Sequence, residues 1–256
     1  MFIKYIMNRM DNSLLKSLLV VPICIAAFVA AISYDPAVYT RLPQNEKIIA
    51  ITFDDHYEVN VKKYGADKIL NILKANGVKS TFFLTGAFLK KKPKLVKRIL
   101  EDGHEIGNHT WSHTWVPAKK ESEKRLVGEL LKTKNYFLSH FGNSYTDLWR
   151  APHGLVNKTT IGWAKKNNFR HIGWSHATED WVSDTTSGDY ISSVNMLKQF
   201  KNLVDSPAGN GAIILCHLET RRDKGNLAEI LQEMINYARM KGFTLVKVTD
   251  HYKQGK

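Results

Sequence analysis

A chain of 256 residues, 43% hydrophobic and 24% charged, is long enough for one full-sized domain with a large core and too apolar to be disordered. Its formal net charge of +13 admits two readings: a surface that attracts a polyanion such as nucleic acid, an anionic membrane or an anionic wall polymer, or a surface of scattered, solvated lysines. No nucleic-acid-binding motif occurs, which sets nucleic acid aside as a partner.

The N-terminus reads as a targeting segment. Lys4, Arg9 and Lys16 precede an apolar run over residues 18–32, broken only by Pro22. The run is longer than most signal-peptide cores and shorter than most spanning helices, and Ala31-Ile32-Ser33 offers small residues for cleavage. Residues 1–33 are expected to be a signal peptide or a signal anchor, with residues 18–32 holding the membrane in the second case. Either outcome leaves the following domain exported, whether periplasmic, secreted or anchored outside, because the positive flank stays cytoplasmic. Cys24 falls within the run, so Cys216 is left alone and no internal disulfide is expected. Cys216 follows Ala212-Ile213-Ile214-Leu215 and reads as a buried strand thiol.

Residues 34–46, punctuated by Pro36 and Pro43, read as a linker to a domain over residues 47–256. From there strand and helix patterns alternate. Residues 48–51 form a short apolar run, as expected of a strand buried on both faces. A helical stretch ends at Asn76-Gly77, and residues 81–84 make the next strand. Pro93 opens a helix that stops at Gly103, followed by a short strand over 104–107. An amphipathic helix is expected over 119–139, with Leu126, Val127, Leu130, Leu131 and Leu138 inward. Then come a strand near Leu148-Trp149, a helix over 158–167, a strand over 171–174 and a helix over 189–203. Strand 212–216, helix 227–240 and strand 243–248 close the pattern. Repeated β-α alternation predicts an α/β fold with a parallel sheet and helices outside, of a length that fits an incomplete or distorted (β/α) barrel.

Five polar motifs occur: four fall at or just past the carboxyl ends of those strands, the rim where α/β barrels assemble sites, and Asp180 lies a few residues past its strand in the following loop. Asp54 and Asp55 are adjacent at a strand end, so their side chains point different ways; one can bind a metal while its neighbour faces substrate, or the two cap a loop. His109 and His113 have the i, i+4 spacing that puts two imidazoles on one side of a helical turn. With Asp55 they would make a two-His, one-carboxylate site with open positions. Arg150, before Ala-Pro-His-Gly, can hold a carboxylate bidentately. Asp180-Trp181 and Leu215-Cys216-His217 complete the set. A lone strand-end histidine is also an ordinary core residue.

The set and its order resemble the polysaccharide deacetylases of carbohydrate esterase family 4, the NodB-homology family, over roughly residues 45 to 250. The resemblance implies a distorted (β/α) barrel and a metal-dependent hydrolase that removes N-acetyl groups from an N-acetylglucosamine-containing glycan, peptidoglycan or another envelope polysaccharide. It implies one divalent ion on Asp55, His109 and His113, usually zinc, with cobalt, manganese or iron(II) as other candidates. Asp54 would be the catalytic base and Arg150 its tether. The residue after the motif's proline, here His153, would give a backbone N–H to the developing oxyanion. His217 would be the general acid, its pKa held up by Asp180. Trp181 would form an aromatic wall and Leu215 the acetyl pocket. The chain departs from the family at His56, where glycine is usual, at His153, where an aromatic such as tyrosine is usual, at Ala177, in place of an aspartate, and at Leu218, in place of an acid. His56 is expected to face solvent or substrate. His104, His140, His171 and His251 read as structural or exposed, and His176 stays open. Two alternatives remain: an amidase acting on a small non-sugar amide or imide, and a non-catalytic glycan- or metal-binding domain.

Overall fold

In a computed structural model of the chain, residues 39–59, 61–114, 122–183 and 185–252 are described. The chain divides into a unit of residues 1–36 and one of residues 37–256. The expected targeting segment lies outside the described residues. Among the described residues, no helix is long and apolar enough to cross a membrane.

The larger unit is an α/β domain. Its strands are β1 (Ile48–Asp55), β2 (Thr81–Leu84), β3 (Glu105–Asn108), β4 (Tyr145–Trp149), β5 (Arg170–His171), β6 (His176–Ala177), β7 (Ala212–His217) and β8 (Thr244–Leu245). They form one parallel sheet in the order β5-β4-β3-β2-β1-β7-β6, with β8 also on β1. The helices are α1 (Ala66–Ala75), α2 (Gly86–Lys91), α3 (Pro93–Glu101), α4 (Glu123–Phe141), α5 (Lys158–Lys166), α6 (Ser193–Val204), α7 (Leu231–Met240) and α8 (Val248–His251). This is the expected incomplete barrel: β5 and β6 are the two ends of the sheet and do not pair with each other.

The period of two along β1 sorts the core. Ile49, Ile51 and Phe53 pack with Phe82, Ile106 and Ile214 under the helices. Ile48 and Ala50 pack with Phe83, Leu148, Ile172 and Ile213 on the other face, where Val248 of α8 joins them. Thr52 and Asp54 continue that second set, so the sheet's own alternation aims Asp54 into the concave side.

Several expected boundaries move. Helix α2 was not anticipated; Thr85 caps it by accepting from the Phe88 N–H at 3.2 Å. In α4 the inward stripe is Leu126, Leu130, Thr133 and Phe137, while Leu131 and Leu138 are exposed. The expected start of that helix, residues 119–121, is outside the described residues. Strand 171–174 stops at His171 because the next carbonyls turn to another donor, the Arg150 guanidinium: Nε donates to Ile172 O at 3.1 Å and Nη2 to Gly173 O at 2.9 Å. The helix expected over 189–203 starts at Ser193, capped by Ser192. That over 227–240 is a 3-10 turn, Leu227–Glu229, followed by α7. The last strand is shorter than expected, and Val248 opens α8.

The stretch expected as a linker is packed where it is described. Tyr39 bridges to Ile172 and Arg41 to Ala212, and the Leu42 N–H donates to Gly211 O at 2.7 Å. Residues 39–42 thus run from the β5 end of the sheet to β7, across the side where the barrel does not close.

Candidate active site

Asp54 and Asp55 end β1. Asp54 sits opposite His217 in the β1–β7 register, so two chemically different groups meet on neighbouring strands. Arg150 follows β4 and is fully buried. Its Nη1 donates to Asp54 Oδ1 at 2.7 Å and to Thr52 Oγ1 at 2.9 Å. The contact with Asp54 is therefore through one nitrogen and not bidentate, because the other donors are taken by Ile172 and Gly173. The guanidinium also lies 4.2 Å over the Phe83 ring. Thr52 in turn donates to Ile214 O at 2.7 Å, tying β1, β4 and β7 together through one hydroxyl.

His109 leaves β3 with its backbone N–H on Leu84 O at 3.1 Å. Its Nδ1–H donates to Arg150 O at 2.8 Å, which fixes the tautomer and leaves Nε2 on the site side, 3.7 Å from Asp54 Oδ2. The His109 and His113 rings lie 4.9 Å apart, as the spacing predicts, but not on a helical turn. Thr110 and His113 have φ of 64° and 58°, so the segment is a folded loop. Glu129 of α4 holds it: one carboxylate oxygen accepts from the Trp111 N–H, the Ser112 N–H and the Ser112 hydroxyl at 2.9, 2.8 and 2.9 Å. Gly86 lets the loop close down, since a Cβ there would lie 2.1 Å from the Trp111 ring.

Asp180 grips His217 twice. Its Oδ1 accepts from Nδ1 and its Oδ2 from the backbone N–H, both at 2.8 Å. Burial lowers the His217 pKa, but the Asp180 charge and hydrogen bond outweigh it, and the net direction is up. Trp181 is 41% exposed and edge-on to His217 at 5.2 Å. Leu215 is buried on β7, and His153 is exposed in the turn after Arg150, its ring 4.8 Å from that of His113.

The remaining acid behaves differently. Asp55 is 1% exposed; its Oδ1 accepts from the His56 N–H at 2.7 Å and from Lys63 Nζ at 3.2 Å, while Oδ2 is buried without a partner. Burial pushes its pKa up to about 7, with Lys63 only partly opposing. Burial, and then the neighbouring imidazoles, lowers the His113 pKa, and burial lowers that of His109; both directions favour the neutral, ligating imidazole. Asp55, His109 and His113 therefore fit a divalent ion by donor chemistry. Among the described residues, no three His, Cys, Asp or Glu side chains converge closely enough to frame an ion as they stand.

His56 does not simply face outward. Its ring stacks on His113 at 4.1 Å, with Glu58 3.3 Å from its Nε2. Burial, and then Lys63, lower its pKa to about 4. His104 and His171 are buried, His140 is exposed and His251 lies 3.3 Å from Glu46. His176 is half-buried on β6 opposite Ile214. Cys216 is buried and its thiol pKa is raised by burial, in keeping with a strand thiol. Sequence reasoning missed Lys63 and Glu129. Neither carries a local signal: Lys63 differs from its neighbour Lys62 only in what the fold puts over it.

The profile of the family described as polysaccharide deacetylase matches residues 41–172. A peptidoglycan-N-acetylglucosamine deacetylase of Bacillus cereus is 31% identical over 214 residues, which is 84% of this chain and 71% of that protein. The chain belongs to the polysaccharide deacetylase family. Another similar family member, the peptidoglycan-N-acetylmuramic acid deacetylase of Bacillus subtilis, is 30% identical over 206 residues, 80% of this chain and 71% of that one. Among solved polysaccharide deacetylase structures, a peptidoglycan N-acetylglucosamine deacetylase crystallised with 4-naphthalen-1-yl-N-oxidanyl-benzamide has a TM-score of 0.70 at 29% identity, covering 90% of this chain and 98% of that one.

Proposed function

We propose that this chain is a metal-dependent N-deacetylase that hydrolyses the acetamide of an N-acetylglucosamine-containing glycan of the cell envelope, with peptidoglycan as the first candidate. The observation that carries the reading is the pairing of Asp54 with His217 on adjacent strands, each anchored from behind, Asp54 by Arg150 and His217 by Asp180. In this reading they serve as a base and an acid for one reacting carbon.

In this reading Asp54 takes a proton from the attacking water. The Arg150 contact aims the Asp54 carboxylate. The His153 backbone N–H faces the developing oxyanion. His217, with Nδ1 committed to Asp180, protonates the leaving amine through Nε2, and acetate departs. Leu215 and Trp181 border the acetyl group. Asp55, His109 and His113 would hold the ion, most simply zinc; the partnerless Asp55 Oδ2 and the tethered His109 ring support that set. When bound, the ion supplies Lewis-acid activation. The apolar run over residues 18–32 supports action outside the cytoplasm.

The test is acetate release from peptidoglycan, chitooligosaccharides, a β-1,6-linked glucosamine polymer and acetylated xylan, with metal restored. Release from at least one N-acetylglucosamine substrate is expected, together with a steep loss of bound metal in His113→Ala. Turnover of only a non-sugar amide would move the chain to the amidase reading. Equal metal content in His113→Ala and wild type would remove His113 from the ligand set.

The pH dependence follows from the Asp180 grip. A general acid must be protonated, so activity falls as pH rises through the His217 pKa. Asp180 raises that value; in Asp180→Asn burial is no longer offset by this charge, and the pKa drops. The alkaline limb of kcat is expected to move to lower pH. An unmoved limb would count against the pairing.

A further inference from the structure

Arg222 lies outside every motif considered so far and is 3% exposed. Among the described residues its acceptors are backbone carbonyls. Nε donates to Val182 O at 2.7 Å and Nη2 to Glu179 O at 2.9 Å. Nη1 donates to Ile191 O at 2.7 Å and to Gly225 O at 3.2 Å. The guanidinium carbon lies 4.4 Å over the Tyr190 ring. Burying such a cation is costly unless its donors are satisfied, and a planar fork satisfies several fixed carbonyls at once in a way an ammonium cannot.

Two of those carbonyls have a particular place. Glu179 and Val182 stand immediately before and after Asp180-Trp181. Glu179 also has φ 59°, a left-handed backbone that a non-glycine residue keeps only where its surroundings over-determine it. The Arg222 bond to the Glu179 carbonyl is such a surrounding. The next residue, Asp180, is the one that grips His217 at both its ring and its backbone. The contacts run without a gap from guanidinium to peptide, carboxylate and imidazole.

We propose that Arg222 is a positioning residue for the deacetylation step: by holding the carbonyls on both sides of Asp180-Trp181, it fixes the Asp180 carboxylate on His217 and the Trp181 indole beside it. This rests on the assignment of His217 as the acid. It gives the loop after β7 a role in catalysis without contact with substrate.

Arg222→Met, Asp180→Asn and the double variant test it, each checked for cooperative unfolding and bound metal. The His217 Nδ1–H resonance is followed by NMR in substrate-free protein and assigned by its loss in Asp180→Asn. In Arg222→Met it is expected to shift or vanish, while kcat on a chitooligosaccharide falls on the order of a hundred-fold, the scale of a misplaced catalytic group, with metal retained. The double variant is expected to be little slower than Asp180→Asn, because both changes break one chain of contacts. A resonance unmoved in Arg222→Met overturns the proposal, as does a double variant whose rate losses simply multiply. If Arg222→Met does not fold, Arg222→Lys is read the same way. If wild type frees no acetate from any glycan, the deacetylase reading falls, and the resonance alone decides the clamp.

Discussion

Asp54→Asn is expected to slow acetate release by roughly a hundred- to ten-thousand-fold, the range of general-base losses, while the bound metal stays. The amide has nearly the shape of the carboxylate, and its oxygen can still accept from Arg150 Nη1, so the local packing survives. What is lost is the ability to take a proton from water. Asp55, His109 and His113 keep their side chains in the variant, and the Asp54 carboxylate lies 3.7 Å from His109 Nε2. The measurement is kcat at matched metal content. Normal turnover by the variant would remove Asp54 from the role of base.

Arg150→Met should destabilise the domain as well as slow it. The guanidinium satisfies Asp54, Thr52, Ile172 and Gly173 at once, and it is fully buried. Removing one partner of a buried ion pair leaves an uncompensated charge and typically costs about 3–5 kcal/mol. For a domain of this size that is a fall in Tm on the order of 10 °C. Arg150→Lys keeps the charge but cannot reach both strand ends, and is expected to fall in between. Thermal and urea unfolding of the three proteins, read beside kcat, checks the order. A methionine variant as stable as wild type would mean that Asp54 finds another partner.

Much of this was legible because chemistry and period agree along the strands. Residues 48–51 and 212–216 are apolar without a break, as strands buried on both faces must be, and polar residues begin where those runs end. That is why Asp54, Asp55, His109, Arg150 and His217 could be placed on one rim from sequence. What was not legible depends on partners far away in the chain. The loop bearing His109 and His113 looks like a helical turn by spacing; Glu129 and the left-handed Thr110 and His113 make it something else. Leu131 and Leu138 satisfy a helical stripe, yet the neighbouring elements cover Thr133 and Phe137 instead. Lys63 and Arg222 have the composition of ordinary surface cations, and only the folded chain turns them inward. His56 and His153 were visible as departures from the family, but that both their rings lie against His113 was not.

The strap of residues 39–42 bears on how the domain can be handled. It lies where a sheet that fails to close would otherwise offer backbone N–H and C=O groups to any passing strand. Shortening the chain to begin at β1 would discard Tyr39, with its bridge to Ile172 and its edge-on contact with Tyr252 at 4.8 Å, and the Leu42 bond to Gly211 along with it. Such a fragment would keep every residue of the candidate site and is expected to self-associate more than the full domain, which light scattering of the two proteins checks. The few residues that look like a tether in the sequence are bonded in the fold to both Ile172 and the start of β7.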